Sequence, residues 1–580
     1  MRNKYLFTAI FWLLLGLDVI TAQPLKERLD ALAQEYPFSY TPLETNEVFS
    51  EKYLISFKQP VDHHGAIADT FTQRVFISHR DFNNPVVFIT EGYDANPAVN
   101  KDFQYELTYA LNANQVCVEH RYFGDSKPDS LAWEFLTTEN AANDHHRIAE
   151  FIKKIYATKL ISTGISKGGQ TTNFFKYYFP EDADICVSYV APVAFSSEDK
   201  RVYSFLKQVG TEECRKQIKA YQMAMFKNKK EFLGVFTKEA NKPQLTYDMG
   251  YSKAYDLLVF EYPFAFWQWG KTPCEQIPDS NSSAAEMVKH LDQVAGFDWV
   301  SNEGIEQMQP FFYQAMRQIG MYGYDIEPFK AYTDYTSNVD FVFTLPSGIE
   351  VAFEPEFMQK VDIFLRHYAN NMIFIYGEYD PWSATALEPG GQTNTFKVVK
   401  KGGSHRTRIA NLPEQQQKQV LDSLNTWLLQ PNSQLKNTTM EQKKKVIGVG
   451  GIFFKSTDPK ALNEWYGKNL GLVTNEYGSL FEFRSSDQPD QKGYLQWSPF
   501  GEKTTYFQPS EKDFMINYRV ENLEELVTEL KKNGVNVLDE IETYEYGKFV
   551  HIMDPDGNKI ELWEPVDTVF TKMYEGMTTK

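Results

Sequence analysis

The sequence predicts an α/β fold: a mostly parallel sheet wrapped by helices, interrupted by a helical insertion and followed by a smaller α+β unit. Three observations predict it. Short apolar, strand-like runs alternate with helical stretches over about residues 51–193 and resume over 361–429. Between them, residues 194–359 turn helical and rich in aromatics. Beyond a polar stretch at 430–445, which reads as a linker, a strand–helix unit occurs twice. At 580 residues the chain is long enough for two or more domains with sizeable cores.

Taken in order, Met1-Arg2-Asn3-Lys4 precedes an apolar run from Tyr5 to Leu17 that ends in the small residues Thr21-Ala22. This reads as a signal peptide over 1–22, too short for a comfortable membrane span and interrupted by Asp18. Cleavage after Ala22 leaves Gln23 first and predicts a secreted or periplasmic protein, with no membrane partner after removal. The formal charge of −18 argues against a nucleic-acid partner.

The peptide 85–90 reads as a core strand ending in Glu91-Gly92-Tyr93, and 115–119 as another, ending in His120-Arg121-Tyr122-Phe123-Gly124. Next comes Ile161-Ser162-Thr163-Gly164-Ile165-Ser166-Lys167-Gly168-Gly169, a serine inside Gly-x-Ser-x-Gly between a strand-like run and a helical one. That is the setting of a nucleophile elbow. The glycines are expected to let the backbone turn sharply, and the helix N-terminus favours developing negative charge. The run 194–359 carries the stripe Phe260-Glu261-Tyr262-Pro263-Phe264-Ala265-Phe266-Trp267-Gln268-Trp269, read mostly as packing of a cap, with a few rings free to line a pocket.

Two further motifs complete a constellation. A buried-strand run at 371–376 leads into Gly377-Glu378-Tyr379-Asp380-Pro381-Trp382. A strand at 396–399 leads into Lys401-Gly402-Gly403-Ser404-His405-Arg406 before a helical stretch near Leu412. The chain order Ser166, Asp380, His405 is that of an α/β-hydrolase. Ser166 is the expected nucleophile, His405 its base and Asp380 the group that orients the imidazole. The oxyanion is expected on the backbone N–H of Lys167 and on that of Tyr93 or Gly92. The triad alone does not name the leaving group, so an esterase remains open.

Cysteines are sparse. Cys117 and Cys186 lie in strand-like runs and read as buried thiols or neighbours in one sheet, whereas Cys214 and Cys274 lie in the helical region and could form a disulfide. Four cysteines allow three pairings, and none has zinc-ligand spacing.

The segments Gln59-Pro60-Val61-Asp62-His63, Phe71-Thr72-Gln73-Arg74, Glu91-Gly92-Tyr93 and Glu119-His120-Arg121-Tyr122-Phe123-Gly124-Asp125-Ser126 occur in that order. With the elbow, they resemble the secreted serine peptidases related to prolylcarboxypeptidase, in the branch of bacterial tripeptidyl aminopeptidases, over about 25–429. The resemblance implies an exopeptidase that releases short peptides from free N-termini, often with proline at the cleaved position, and peptides as partners. Such an enzyme must bind an ammonium, and Glu91 and Glu119 are the candidate carboxylates; each reads equally as a structural acid pairing with Arg121.

In the C-terminal region, the strand–helix unit at 451–466 is repeated at 515–530, and Asp554-Pro555-Asp556-Gly557-Asn558 reads as a tight turn before Glu561-Leu562. Residues 446–567 resemble the glyoxalase/bleomycin-resistance, or vicinal-oxygen-chelate, proteins, which implies paired βαβββ units. In metal-dependent members of that family four strands each supply a ligand. Glu561 matches the last position and Gln496 or Trp497 another, but the positions near Gly451 and Met515 hold no suitable ligand atom, and His551 reads as a strand residue. One carboxylate without histidine partners is a poor transition-metal site. The expectation is therefore no metal or cofactor, and a module that binds an unknown small ligand or stabilises the chain. Binding or sequestration by this module is the alternative function. Because Met440 would suit the start of a free-standing protein, the chain also reads as a fusion or as two merged reading frames.

Overall fold

The computed structural model describes residues 24–279, 281–430, 446–485, 488–532, 534–574 and 577–579. The expected signal peptide and almost all of the expected linker lie outside the described residues. The chain forms two compact units, one ending at Asn432 and the other beginning at Ser433.

The first unit is built on a nine-stranded sheet: β1 (Phe38–Pro42), β2 (Glu51–Pro60), β3 (Thr70–His79), β4 (Val86–Thr90), β5 (Asn114–Val118), β6 (Leu160–Ile165), β7 (Ile185–Tyr189), β8 (Met372–Gly377) and β9 (Phe396–Lys400). Their order is β1-β2-β3-β5-β4-β6-β7-β8-β9. The first three strands run antiparallel to their neighbours, and everything from β5 to β9 is parallel. This is the α/β-hydrolase topology. Every residue of β4, β5, β7 and β8 is buried, as parallel strands covered on both faces require.

Alternation along β4 separates the two faces. Val86 and Phe88 join the core shared with the helix Thr138–Ile155, while Val87 and Ile89 join that of the C-terminal helix Glu414–Leu429. The cap is inserted between β7 and β8. Its central helix, Tyr251–Trp269, is buried on nearly every side, which explains the aromatic stripe. Pro263 cannot donate to Val259 O, and Gln222 Nε2 takes that carbonyl at 2.8 Å. A disulfide between Cys214 and Cys274 ties the cap helix Glu212–Lys227 to the turn after the central helix; Cys117 and Cys186 are buried free thiols in β5 and β7.

The second unit is another nine-stranded sheet. One half holds β10 (Val446–Ser456), β11 (Thr474–Asn475), β12 (Gly478–Ser485) and β13 (Gln488–Gly501); the other holds β14 (Phe514–Val520), β15 (Asn536–Val537), β16 (Glu542–Tyr544), β17 (Gly547–Met553) and β18 (Lys559–Pro565). Each half places a helix, Pro459–Leu470 or Leu523–Lys532, after its first strand. The expected pair of βαβββ units is present, the second with one additional short strand, β16.

Candidate active site

Ser166 follows β6 and caps the helix Lys167–Tyr178, with φ 57° and ψ −121°. A non-glycine residue at positive φ is strained, and such strain concentrates at functional sites. The turn therefore falls on the serine itself, not on the flanking glycines as the sequence suggested. Their role is close approach. A Cβ on Gly164 would lie 2.1 Å from Gly168 O, and one on Gly92 would lie 2.5 Å from Gly168 N. Gly164 lets the elbow helix sit down on β6, and Gly92 lets the loop after β4 press on the elbow. Thr90 Oγ1 fastens the same contact through Thr172 Oγ1 at 2.7 Å and Gly168 O at 3.1 Å.

That loop carries the second expected oxyanion donor. The N–H of Lys167 lies in the first helical turn, where intrahelical acceptors are lacking. The Lys167 side chain, unremarked in the sequence, is buried and donates from Nζ to Gly92 O at 2.7 Å. It also lies over the rings of Tyr93 and Phe123. Burial drives its ammonium well below the ordinary lysine range. Tyr93 brings more than a backbone amide: burial raises its phenol, while a hydrogen bond with the Ser166 side chain works the other way.

Asp380 and His405 follow β8 and β9, so all three expected groups stand at the carboxyl edge of the parallel strands. His405 Nδ1 and Asp380 Oδ2 are 2.7 Å apart, with side-chain exposures of 6% and 0%. Asp380 Oδ1 also accepts from Trp382 N at 3.3 Å. The histidine loop is held from above, because His405 N donates to Gln268 O in the cap's central helix at 2.8 Å. It is joined to the elbow as well: Arg408 lies over the Tyr189 ring, and Tyr189 O accepts from Ser166 N at 2.8 Å.

The two expected ammonium readers do not share this cleft equally. Glu119 is fully buried and saturated. It pairs with Arg74, with Nε–Oε1 at 2.8 Å, and accepts from Ala95 N, Asp125 N, Ser126 N and Ser126 Oγ. Its partner is not Arg121, which instead forks onto Asp144 at 2.6 and 2.9 Å. The Glu-His-Arg-Tyr-Phe-Gly run thus builds the fold around the site: a Cβ on Gly124, at φ 52°, would strike the Glu119 carboxylate at 2.3 Å. Glu91 does not pair with Arg121 either. It accepts from Cys117 Sγ at 3.8 Å on the β5 side, and burial pushes its carboxyl up to about 7.

In the second unit the register sets Gln496, Gly451, Asn517, Glu561 and His551 side by side across five strands. The second-repeat position is therefore Asn517, two residues beyond Met515. Trp497 turns away from this row onto Phe454 and Tyr466. His551 is not an idle strand residue: its Nε2 lies 3.0 Å from Glu561 Oε1 and its Nδ1 2.6 Å from Asp539 Oδ2. Burial lowers the imidazole, but the hydrogen bond and charge of Glu561 and the hydrogen bond of Asp539 together outweigh this and the net shift is upward. Tyr506 Oη and Asn517 Nδ2 donate to the two Glu561 oxygens, each at 2.5 Å. A carboxylate already satisfied by three protein groups, beside a glycine and two amides, does not fit a divalent metal. Among the described residues no cluster of three or more His, Cys, Asp or Glu side chains could hold one.

Residues 38–440 match the PS-10 peptidase S37 family, and residues 456–562 match the Glyoxalase/Bleomycin resistance protein/Dioxygenase superfamily. A prolyl tri/tetrapeptidyl aminopeptidase of Streptomyces mobaraensis is 31% identical over 369 residues, covering 62% of this chain and 77% of its own. The lysosomal Pro-X carboxypeptidase of Bos taurus is 23% identical over 450 residues, covering 66% and 88%. Among solved structures, proline iminopeptidase of Mycobacterium smegmatis covers 64% of this chain and 99% of its own, at 14% identity and a TM-score of 0.32. Among the described residues no helix is long and apolar enough to cross a membrane. Matched over well more than half of its length, the chain belongs to the PS-10 peptidase S37 family: it is a serine peptidase carrying a C-terminal glyoxalase-type domain.

Proposed function

We propose that the protein is a secreted exopeptidase that releases short peptides, chiefly tripeptides and with proline favoured at the cleaved bond, from free N-termini through an acyl-enzyme on Ser166. The observation that carries the chemistry is the buried 2.7 Å His405–Asp380 pair at the same sheet edge as the strained serine. In this mechanism His405 takes the hydroxyl proton as Ser166 Oγ bonds to the scissile carbonyl carbon. The tetrahedral oxyanion is held by the N–H groups of Lys167 and of Tyr93 or Gly92; one such donor contributes about 3 kcal/mol. Collapse breaks the C–N bond, and His405 passes its proton to the leaving amine. Water, deprotonated by the same imidazole, then releases the peptide. Asp380 fixes the tautomer and stabilises the imidazolium.

The N-terminal preference and the proline preference are supported by the name of the Streptomyces relative. Export is supported by the sequence of residues 1–22 and by the Cys214–Cys274 disulfide, a bond of oxidising compartments. The test is hydrolysis of Ala-Ala-Pro p-nitroanilide with a free or an acetylated N-terminus, alongside a single-residue Pro substrate and a simple ester, with Ser166→Ala as control. Selective cleavage of the free tripeptide supports the proposal. Equal cleavage of the blocked peptide removes the aminopeptidase reading, cleavage of the ester alone favours an esterase, and turnover by Ser166→Ala removes the nucleophile.

A further inference from the structure

We infer that Glu261, deep in the cap, is the carboxylate that reads the substrate's free α-ammonium, one tripeptide away from the scissile bond. The inference rests on the N-terminal exopeptidase reading above and adds the residue that enforces it.

Most of the other buried carboxylates of this unit have a cation beside them, whereas Asp62 is held by the N–H groups of His64 and Ala66. Glu119 has Arg74, Asp144 has Arg121, Asp199 has Arg201 and Asp256 has Lys229. Glu261 is only 6% exposed, yet no cation among the described residues lies within ion-pair distance. Its partners are neutral: Tyr322 Oη at 2.9 Å and Tyr324 Oη at 2.7 Å, both donating to Oε2 and neither to Oε1. A carboxylate removed from water without a countercharge is costly. The cost shows in its carboxyl, which burial pushes up to about 7 against the pull of both tyrosines. An arriving ammonium would supply the missing charge and take the free oxygen.

The position fits the length of the product. Glu261, Phe264 and Gln268 are spaced i, i+3, i+7 and share one face of the helix Tyr251–Trp269. Gln268 supplies the carbonyl that holds His405 N. Phe264 stacks on Tyr322 with ring centres 3.7 Å apart and abuts Trp382, two residues past Asp380, at 5.3 Å. Seven helical residues rise about 10 Å, and three extended peptide residues also span about 10 Å. Glu119 is saturated by its own fold, and Glu91 is turned toward Cys117.

The experiment compares Glu261→Gln with wild type on free and N-acetylated Ala-Ala-Pro p-nitroanilide and on p-nitrophenyl acetate. Glutamine keeps an oxygen for both tyrosine hydroxyls and removes only the charge. The readout is the ratio of kcat/KM for free over acetylated peptide, which a general loss of folding leaves in place. The ratio is expected to fall roughly 30-fold or more, through KM on the free peptide. Glu261→Asp, which keeps the charge but draws it back, is expected to retain part of the preference. A wild-type ratio in Glu261→Gln overturns the assignment and leaves the exopeptidase reading standing. Peptide and ester rates that fall together at constant ratio overturn it as well, because Glu261 would then be structural. Absence of any preference in the wild type defeats the exopeptidase reading, and this inference with it.

Discussion

Replacing Asp380 with asparagine exchanges one oxygen for an NH2 group in a site closed to solvent, and the structure sets how much that should cost. The Asp380 Oδ2–His405 Nδ1 distance of 2.7 Å puts carboxylate and imidazolium charge centres about 4 Å apart. At an effective dielectric near 20, that pair is worth about 4 kcal/mol, or roughly a thousandfold in rate. The tautomer adds to this. Asparagine can keep its oxygen on Trp382 N, where Asp380 Oδ1 now accepts at 3.3 Å, and turn its NH2 toward Nδ1. The ring proton is then forced onto Nε2, the nitrogen that must accept the serine proton. A loss of about 10³–10⁴-fold in kcat is expected, with KM changed little. The assay is steady-state hydrolysis of the free tripeptide anilide, with thermal unfolding as a control for folding. A loss smaller than tenfold in a folded Asp380→Asn enzyme would refute the assignment of Asp380 as the orienting acid.

Gly92→Ala is expected to lower kcat by about 10²-fold or more, because the new Cβ meets elbow backbone at 2.5 Å and shifts the oxyanion loop; unchanged kinetics would show that the loop is not part of the site. Replacing Cys214 and Cys274 with serine opens a loop of 60 residues and is expected to lower stability by about 4 kcal/mol in urea unfolding under oxidising conditions. The His146–Asp182 contact predicts a pH signature. His146 is raised above its ordinary 6.5 by the Asp182 hydrogen bond, so its contribution is full below 6.5 and fades as pH rises through the raised value. Asp182 is lowered by His146 and Lys153, which outweigh its burial, so its contribution is present above its ordinary 3.8 and fades as pH falls through the lowered value. The stability gap between wild type and His146→Gln should therefore be widest between these limits and narrow above neutrality, as followed by melting temperature against pH.

The parts of the site written in the sequence are those that depend on neighbours in the chain. The elbow could be read because strand, glycine, serine and helix are contiguous. The placement of Asp380 and His405 at one sheet edge could be read because each sits on a short loop just past a strand, β8 or β9. What could not be read is pairing across the sheet and the cap. Arg74 reaches Glu119 from an antiparallel neighbour 45 residues away, so the nearer Arg121 was a natural but wrong partner. Glu261 sits in a stripe that reads as aromatic packing, and its lack of a countercharge becomes visible only once Tyr322 and Tyr324 arrive 61 and 63 residues later. The C-terminal unit shows a subtler limit. Its repeat fixes strands and helices, but a two-residue difference of register replaces Met515 with Asn517 beside Glu561, and the fate of Glu561 turns on that row.

The hydrogen bond from His405 N to Gln268 O has a mechanical consequence. The cap's central helix and the His405 loop are fastened to each other there, and the Cys214–Cys274 bridge ties down the turn just beyond that helix. A movement that lifts this end of the helix would break the bond and load the loop that sets the imidazole on Asp380, so the position of the cap and the geometry of the His405–Asp380 pair are coupled.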